Sequence, residues 1–443
     1  MTTNLIKYFL PVLLFVACER QPNINSSKGG ETSQTDSAFL DMLQKAHFDY
    51  MWTGAELNSG MAYERIHEDG DYGYDDPTII TTGGSGFGIA GIIVAIDRGF
   101  ITRQEGVERL NKIVRFLSNA NRFHGVWPHW LYPSGRVCPF GQKDNGGDLV
   151  ESCFLMQGLL IARQYMNPEV ATEKAVIDGI NALWQEMEFD WYTRGGQKVL
   201  YWHWSPDYEW QMNFPLQGYN ECLITYILAL ASPTHPIDVE CYEQGWSRNG
   251  NIRSSAAPYG YPLGVSHNGA EATGGPLFWA HYSWIGLDPH QLVDKYADYW
   301  QVVQNHALSN YAYCVENPKN YTNYSDSCWG LTASYSVNGY SAHAPNNDLG
   351  VITPTAALSS FPYTPQESMA AARYFYNRKP LLWGEYGFYD AFSKDARWYP
   401  HRYLAIDQLT IAPMIENYRS GLLWRLFMSC PEIQAVMKKI AGK

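Results

Sequence analysis

No run of Lys or Arg occurs anywhere in the 443 residues, and charged side chains make up only 17% of them. With 44 Asp+Glu against 32 Lys+Arg, the formal net charge is −12. That balance excludes a nucleic-acid footprint, which needs cations clustered along a phosphate backbone. It disfavours anionic membrane surfaces and polyanionic sugars as well, and leaves a neutral substrate. Other absences narrow the chemistry further. There is no CxxC, no HxxxH or HxH pair, no GxSxG elbow and no Walker lysine. Zinc cages, triad hydrolysis and P-loop phosphate binding therefore have no local signature, and the expectation is a protein without metal or cofactor. Beyond Cys18 seven cysteines remain, an odd number with mostly apolar neighbours. They read as buried thiols rather than a disulfide scaffold, with Cys314 and Cys328 the one pair to check for a bridge.

The first apolar stretch, Tyr8 to Ala17 after Lys7, falls far short of the roughly 20 residues a membrane span needs. It ends at Val16-Ala17-Cys18, the pattern of a lipobox whose cysteine is lipidated and whose preceding segment is removed. Residues 1–18 are read as that signal and 19–36, rich in Ser, Thr, Asn and Gly, as a flexible tether. Residues 37–443 are read as one catalytic domain. The expectation is an exported lipoprotein, periplasmic or on the outer membrane of a Gram-negative bacterium, monomeric and membrane-bound through its lipid alone.

What the chain has in abundance is aromatic: 16 Trp, 32 Tyr and 18 Phe. Most will fill core, but their flat faces suit the C–H faces of sugar rings, and indole N–H and phenol O–H groups bond hydroxyls. Helical spacing dominates from Ser37 onward. It predicts helices over Phe39–Trp52, Gly86–Arg98, Arg103–Ala120, Asp148–Tyr165, Val170–Met187, Glu221–Leu230, Pro289–Leu308, Pro365–Tyr376, Gln408–Met428 and Pro431–Ile440. Strand-like alternation is brief, as at Lys198–Trp204. Between the helices lie long Gly-, Pro- and Trp-rich loops, of a length that tends to be functional. About a dozen helices with such loops suit an all-α toroid of helical hairpins. Its inner helices run parallel, so their N-termini gather at one mouth.

Asp148 and Glu151, spaced i,i+3, open one apolar run, and Glu221 opens another. Capping alone accounts for these residue types, with Asp148 as N-cap, Glu151 reaching back from N3, and Asn220 capping the second helix. Glycoside cleavage needs the same types: one carboxylic acid to protonate the leaving oxygen and one carboxylate as base or nucleophile. His129 and His281, isolated among aromatics, are candidates for structural hydrogen bonds or sugar contacts. The run Thr82-Gly83-Gly84-Ser85-Gly86-Phe87-Gly88 lacks the context of a nucleotide loop and suits close helix packing.

Gly146-Gly147-Asp148-Leu149-Val150-Glu151 with Phe154-Leu155-Met156-Gln157-Gly158 resembles the signature of the bacterial glucoamylase-like domain family. Gly274-Gly275-Pro276-Leu277-Phe278, Trp329-Gly330-Leu331-Thr332 and Met414-Ile415-Glu416-Asn417 extend the likeness from about Phe48 to the C-terminus. The resemblance implies an (α/α)6 toroid and similarity to glycoside hydrolase family 144, endo-β-1,2-glucanases that invert the anomeric centre. Carried over, its acids fall on Asp148, Glu151 and Glu221, with Glu221 as general acid and Asp148 or Glu151 positioning the water. Asp407 lies in a family-like segment and is an alternative base. Arg65, His129, His281 and Trp329 are the candidates for hydroxyl bonding or stacking. An exo-acting glucosidase on β-1,2-gluco-oligosaccharides and a non-catalytic sugar-binding lipoprotein are the alternatives. A polysaccharide lyase would need basic residues against uronates that this acidic chain lacks.

Overall fold

The structure, a computed structural model, describes residues 29–441. Cys18 and the expected signal lie outside the described residues. Two units divide the chain, 1–40 and 41–443. In the first, the described residues open helix α1 (Gly29–Trp52), so the helix begins inside the stretch read as a tether. No proline follows Pro22 there to stop it. Everything below concerns the second unit.

Burial separates two kinds of helix. α2 (Thr82–Asp97) is buried at every position from Thr82 to Ala95. α4 (Leu149–Tyr165) is buried from Leu149 to Arg163, and α6 (Leu223–Ala231) throughout. A helix apolar on all sides must be surrounded by protein. α3 (Arg103–Asn119) and α5 (Ala171–Gln185) bury one stripe only, as at Val107, Leu110, Ile113, Val114 and Leu117. These outer helices alternate in sequence with the inner ones. The outer set continues through α7 (Val239–Cys241) with its following π turn, α8 (Tyr299–Glu316) and α10 (Pro365–Tyr376). The inner set continues through the 3₁₀ turns Leu277–Ala280 and Ser283–Ile285, α9 (Pro354–Leu358), and, after the short α11 (Lys379–Leu382), α12 (Ala405–Gln408) and α13 (Ile411–Arg419).

Inner elements touch in ring order: α2 on α4, α4 on α6, α6 on Ser283–Ile285, that turn on α13, and α13 on both α9 and α2. The ring closes, giving the (α/α)6 toroid. From α1, Gln44 Nε2 donates to Glu416 Oε2 of α13 at 3.0 Å and ties the outer ring to the inner one. α14 (Leu422–Met428) and α15 (Pro431–Ile440) seal the α4–α6 side. α2 and α4 approach closely at two glycines. A Cβ on Gly86 would lie 2.2 Å from the Phe154 carbonyl oxygen, and one on Gly158 would lie 2.0 Å from that of Gly86. The glycine-rich run is therefore helical from Thr82, and its missing side chains are what let two backbones meet.

Several predicted elements shift. The Pro289 run forms a single 3₁₀ turn, because Asp294 accepts from Tyr296 N and Ala297 N and turns the chain; α8 starts only after the Asp298 cap. The Gln408–Met428 run breaks into three helices, the last break at Gly421 with φ +67°. The Glu221 helix starts two residues later, at Leu223, after Asn220 Oδ1 has accepted from Cys222 N in a turn. Of Lys198–Trp204 only His203–Trp204 forms a strand, paired with Gly147–Asp148. Cys314 and Cys328 are both free and buried.

Candidate active site

The mouth where the inner helices begin holds a cavity of about 330 Å³. Thr81, Glu151, Leu404 and Ile406 line it from the starts of α2, α4 and α12, and Glu221 lines it from the turn before α6. Loops complete the wall: Glu64 and Arg65, His129, Trp130 and Phe140, Trp202, Phe278 and Tyr282, then Tyr335 and Tyr340 of a hairpin. A groove of about 480 Å³ along α3 is roomier, but Glu108 is its only carboxylate. Other grooves carry two acids, Asp207 with Glu209 and Asp71 with Asp75, but all four are exposed; at the mouth the carboxyls are held by burial above their ordinary pKa, and that selects it.

Asp148 and Glu151 part company within one helical turn. Asp148 is sealed, and both its oxygens are taken: Oδ1 accepts from Glu151 N at 3.0 Å and Trp202 Nε1 at 2.8 Å, and Oδ2 from His129 Nδ1 at 2.9 Å. Burial pushes its carboxyl up, but those bonds and the His203 ring outweigh it and hold the pKa below the ordinary value. Glu151 does not reach back to close the capping box. Its Oε2 turns across to α2 and accepts from Gly83 N at 2.9 Å. Burial, with the charges of Asp148 and Glu64 beside it, raises its pKa against the pull of His129.

Glu221 keeps part of its surface open to the cavity, yet it lies deep enough that burial lifts it to about 7, with Asp148 adding to the rise. Glu64, which nothing in the sequence marked, is also raised by burial. Burial lowers His129, but Glu151 and Asp148 prevail and lift it to about 10, so the ring is an imidazolium at neutral pH. Arg65 pairs with Asp75 and lies over the Trp130 ring, 5.5 Å from its centroid.

The other predicted residues sit elsewhere. His281 is sealed beneath the wall, with Nε2 2.9 Å from Ser360 Oγ, and burial drives its pKa down to about 3. Trp329 is core; its Nε1 donates to Glu367 O at 3.2 Å. Neither lines the cavity, because the 3₁₀ turn presents Phe278 and Tyr282 there instead. Asp407 lies one layer down, accepting from the Tyr282 hydroxyl at 3.1 Å. Burial and the neighbouring Asp390 raise it well above the carboxylate range.

For a cation, the fitting group among the described residues is His129, Asp144 and Asp148, whose ligand atoms lie within 4.8 Å of one another. His203 Nε2 stands 3.3 Å from Asp144 and 3.6 Å from Asp148. These donors come from three separate loops, which is why no sequence spacing announced them.

Comparison with known proteins agrees with this geometry. The Glycoamylase family profile matches residues 213–431. The crystal structure of an endo-β-1,2-glucanase from Chitinophaga pinensis, in complex with sophorotriose and glucose, is 58% identical with a TM-score of 0.90, covering 91% of this chain and 98% of that one. A β-1,2-glucanase structure from Parabacteroides distasonis is 45% identical with a TM-score of 0.86, covering 91% and 60%. An exo β-1,2-glucooligosaccharide sophorohydrolase of Parabacteroides distasonis is 46% identical over 425 residues, 92% of this chain; the chain spans only 58% of that relative's length. With the ring, the acid-lined mouth and these likenesses together, the chain belongs to the glucoamylase-like (Glycoamylase) family.

Proposed function

We propose that the protein is a glycoside hydrolase that cleaves β-1,2-glucan internally with inversion. The observation that carries this is an aromatic chamber holding three carboxyls, Glu64, Glu151 and Glu221, all with pKa values above the ordinary range. Glu221, neutral below about pH 7, is the general acid on the leaving oxygen. Glu151 is the base: His129 and the Gly83 N–H pull toward its ionised form while burial holds it at about 8, above Glu221. The reactive pair is therefore the minority state with Glu151 ionised and Glu221 protonated, in which Glu151 takes a proton from the attacking water. Inversion leaves room for that water, with carboxyls roughly 6.5–9.5 Å apart or linked through a hydroxyl relay. Asp148 braces this pair. Glu64, Glu151 and Glu221 line the chamber together with Arg65 and the His129 imidazolium.

The β-1,2 linkage and the endo mode rest on the identity to the Chitinophaga enzyme. The exo reading is favoured by the name of the Parabacteroides relative. Incubation with β-1,2-, β-1,3-, β-1,4- and β-1,6-glucans, sizing products over time, tests both. Endo cleavage of β-1,2-glucan gives intermediate oligomers first; a single small product from the outset means exo action. No release from β-1,2-glucan sinks the hydrolase and leaves a sugar-binding protein, whereas full activity in Glu221→Gln removes Glu221 as the general acid. We also propose export as a monomeric lipoprotein anchored through Cys18, supported by Val16-Ala17-Cys18 after an apolar run. Labelling with a clickable palmitate analogue that survives in Cys18→Ser would refute it.

A further inference from the structure

At about 330 Å³ the chamber sits at the small end of ligand cavities, room for a short oligosaccharide rather than a polymer. A longer chain must leave it somewhere. Two β ribbons lead out. In the first, Arg65 pairs with Leu404 and His67 with Arg402. Arg65 and Leu404 line the chamber, and Arg402 lines a groove of about 370 Å³ outside it. Two residues of strand span roughly 7 Å, on the scale of one sugar ring. In the second ribbon, Tyr335 lines both the chamber and the groove, and Gly339 lines the groove beside it.

The groove abuts the chamber at Tyr335, which lines both, and its floor is held in place. The Tyr335 hydroxyl lies 2.7 Å from His67 Nε2, and the His67 ring stacks on Tyr72 with centroids 4.3 Å apart and planes 10° apart. Its charges are already spoken for: Arg402 binds Asp69 and Asp71, and Asp75 pairs with Arg65. What remains presented is aromatic. Tyr74 is fully exposed and Trp398 half-buried, and neither ring has an aromatic partner among the described residues.

We propose that this groove is an outer glucan-binding site, taking neutral glucosyl units of the same chain beyond those held against Glu151 and Glu221, with Trp398 and Tyr74 as stacking platforms. The inference rests on the β-glucan hydrolase reading and adds the chain-length dependence that reading does not contain. For Trp398→Ala and Tyr74→Ala the expected result is a KM for polymeric β-1,2-glucan raised about fivefold. The trisaccharide should change less than twofold, and Trp398→Phe should restore polymer KM. Equal losses on trisaccharide and polymer, or an unchanged polymer KM, overturn the site. Affinity electrophoresis in gels containing the polymer separates the two claims. A wild-type protein that is retarded but cleaves nothing defeats the hydrolase reading alone, whereas retardation identical in wild type and Trp398→Ala defeats the groove.

Discussion

Replacing Asp148 by Asn removes one charge from a place where the whole neighbourhood depends on it. Three bonds converge on that carboxylate, and only the one from His129 joins it to a cation. Raising His129 from its ordinary 6.5 to about 10 corresponds to a ceiling of roughly 5 kcal/mol, at about 1.4 kcal/mol per unit. Glu151 and Glu64 share in that stabilisation, so Asp148 supplies about half, on the order of 2–3 kcal/mol, in line with a buried bond to a charged group. Asn still caps α4 and can accept from Trp202, so the fold survives. In the wild type, the stability from His129 is fully present below pH 6.5 and is lost as pH rises through about 10. That from Asp148, whose pKa is lowered, is present above its unfolded value and lost as pH falls. The penalty of Asp148→Asn is therefore largest between about pH 4 and 6.5 and shrinks toward pH 10 and toward strong acid. Calorimetry should show a Tm loss on the order of 2–4 °C at pH 6 and a smaller one at pH 10. NMR of the imidazole nitrogens should show His129 titrating well below 10. A His129 that still titrates near 10, with an unchanged Tm, would falsify the assignment of Asp148 as the bracing anion.

Four further outcomes rest on contacts described above. Because Glu151 lies at about 8 and Glu221 at about 7, the productive pair is a minority protonation state and the kcat/KM profile should be a narrow bell centred between about pH 7 and 8; Glu221→Gln should lose about 10²–10⁴ in rate on glucan, yet keep activity on an aryl glycoside with a good leaving group, and losing both alike counts against the acid role. Gly158→Ala should destabilise by about 1–3 kcal/mol, because its Cβ would meet the Gly86 carbonyl at 2.0 Å; a gain of about 1 kcal/mol, the helix-propensity effect alone, would show that α2 and α4 are not in contact. Trp329→Phe, in sealed core, should lower Tm and leave KM for short oligosaccharides unchanged, and a large KM change would return Trp329 to the binding site.

Periodicity was legible where burial is simple. The outer helix α10 and the proline-started α15 begin and end where spacing, proline and polar ends place them, and α4 begins after the Asp148 cap. It failed where side chains of remote loops decide the backbone. Asp294 gathers two amide donors and stops a run that reads as helix from Pro289. Gly421 splits another that looks continuous. Glu151 and Glu221 could be picked out because an acid at the head of an apolar helix is conspicuous. Glu64, Trp202 and Tyr335 could not, since each lies outside the long helices, in a segment whose neighbours in space come from elsewhere in the chain. His281 and Trp329 misled for the opposite reason. A polar aromatic in a distinctive motif suits a sugar contact, but here the 3₁₀ turn and the α8 packing face them inward.

Asp148 and Glu151 show how capping can separate brace from reagent. In a closed capping box the N3 carboxylate folds back on the N-cap backbone and is consumed by its own helix, as Glu105 is by Thr102 at the start of α3. At α4 only half of that box forms. Asp148 accepts from Glu151 N, and Glu151 abandons the return bond for the Gly83 amide of the neighbouring inner helix. Gly83 is required there, because a Cβ would sit 2.1 Å from Glu151 Oε2. One oxygen is pinned by the N-terminus of α2, and Glu151 still borders the cavity. The same Asp-x-x-Glu spacing thus supplies a structural cap in Asp148 and a carboxyl in Glu151 that its own helix has left uncommitted, and the difference lies in a glycine on another helix.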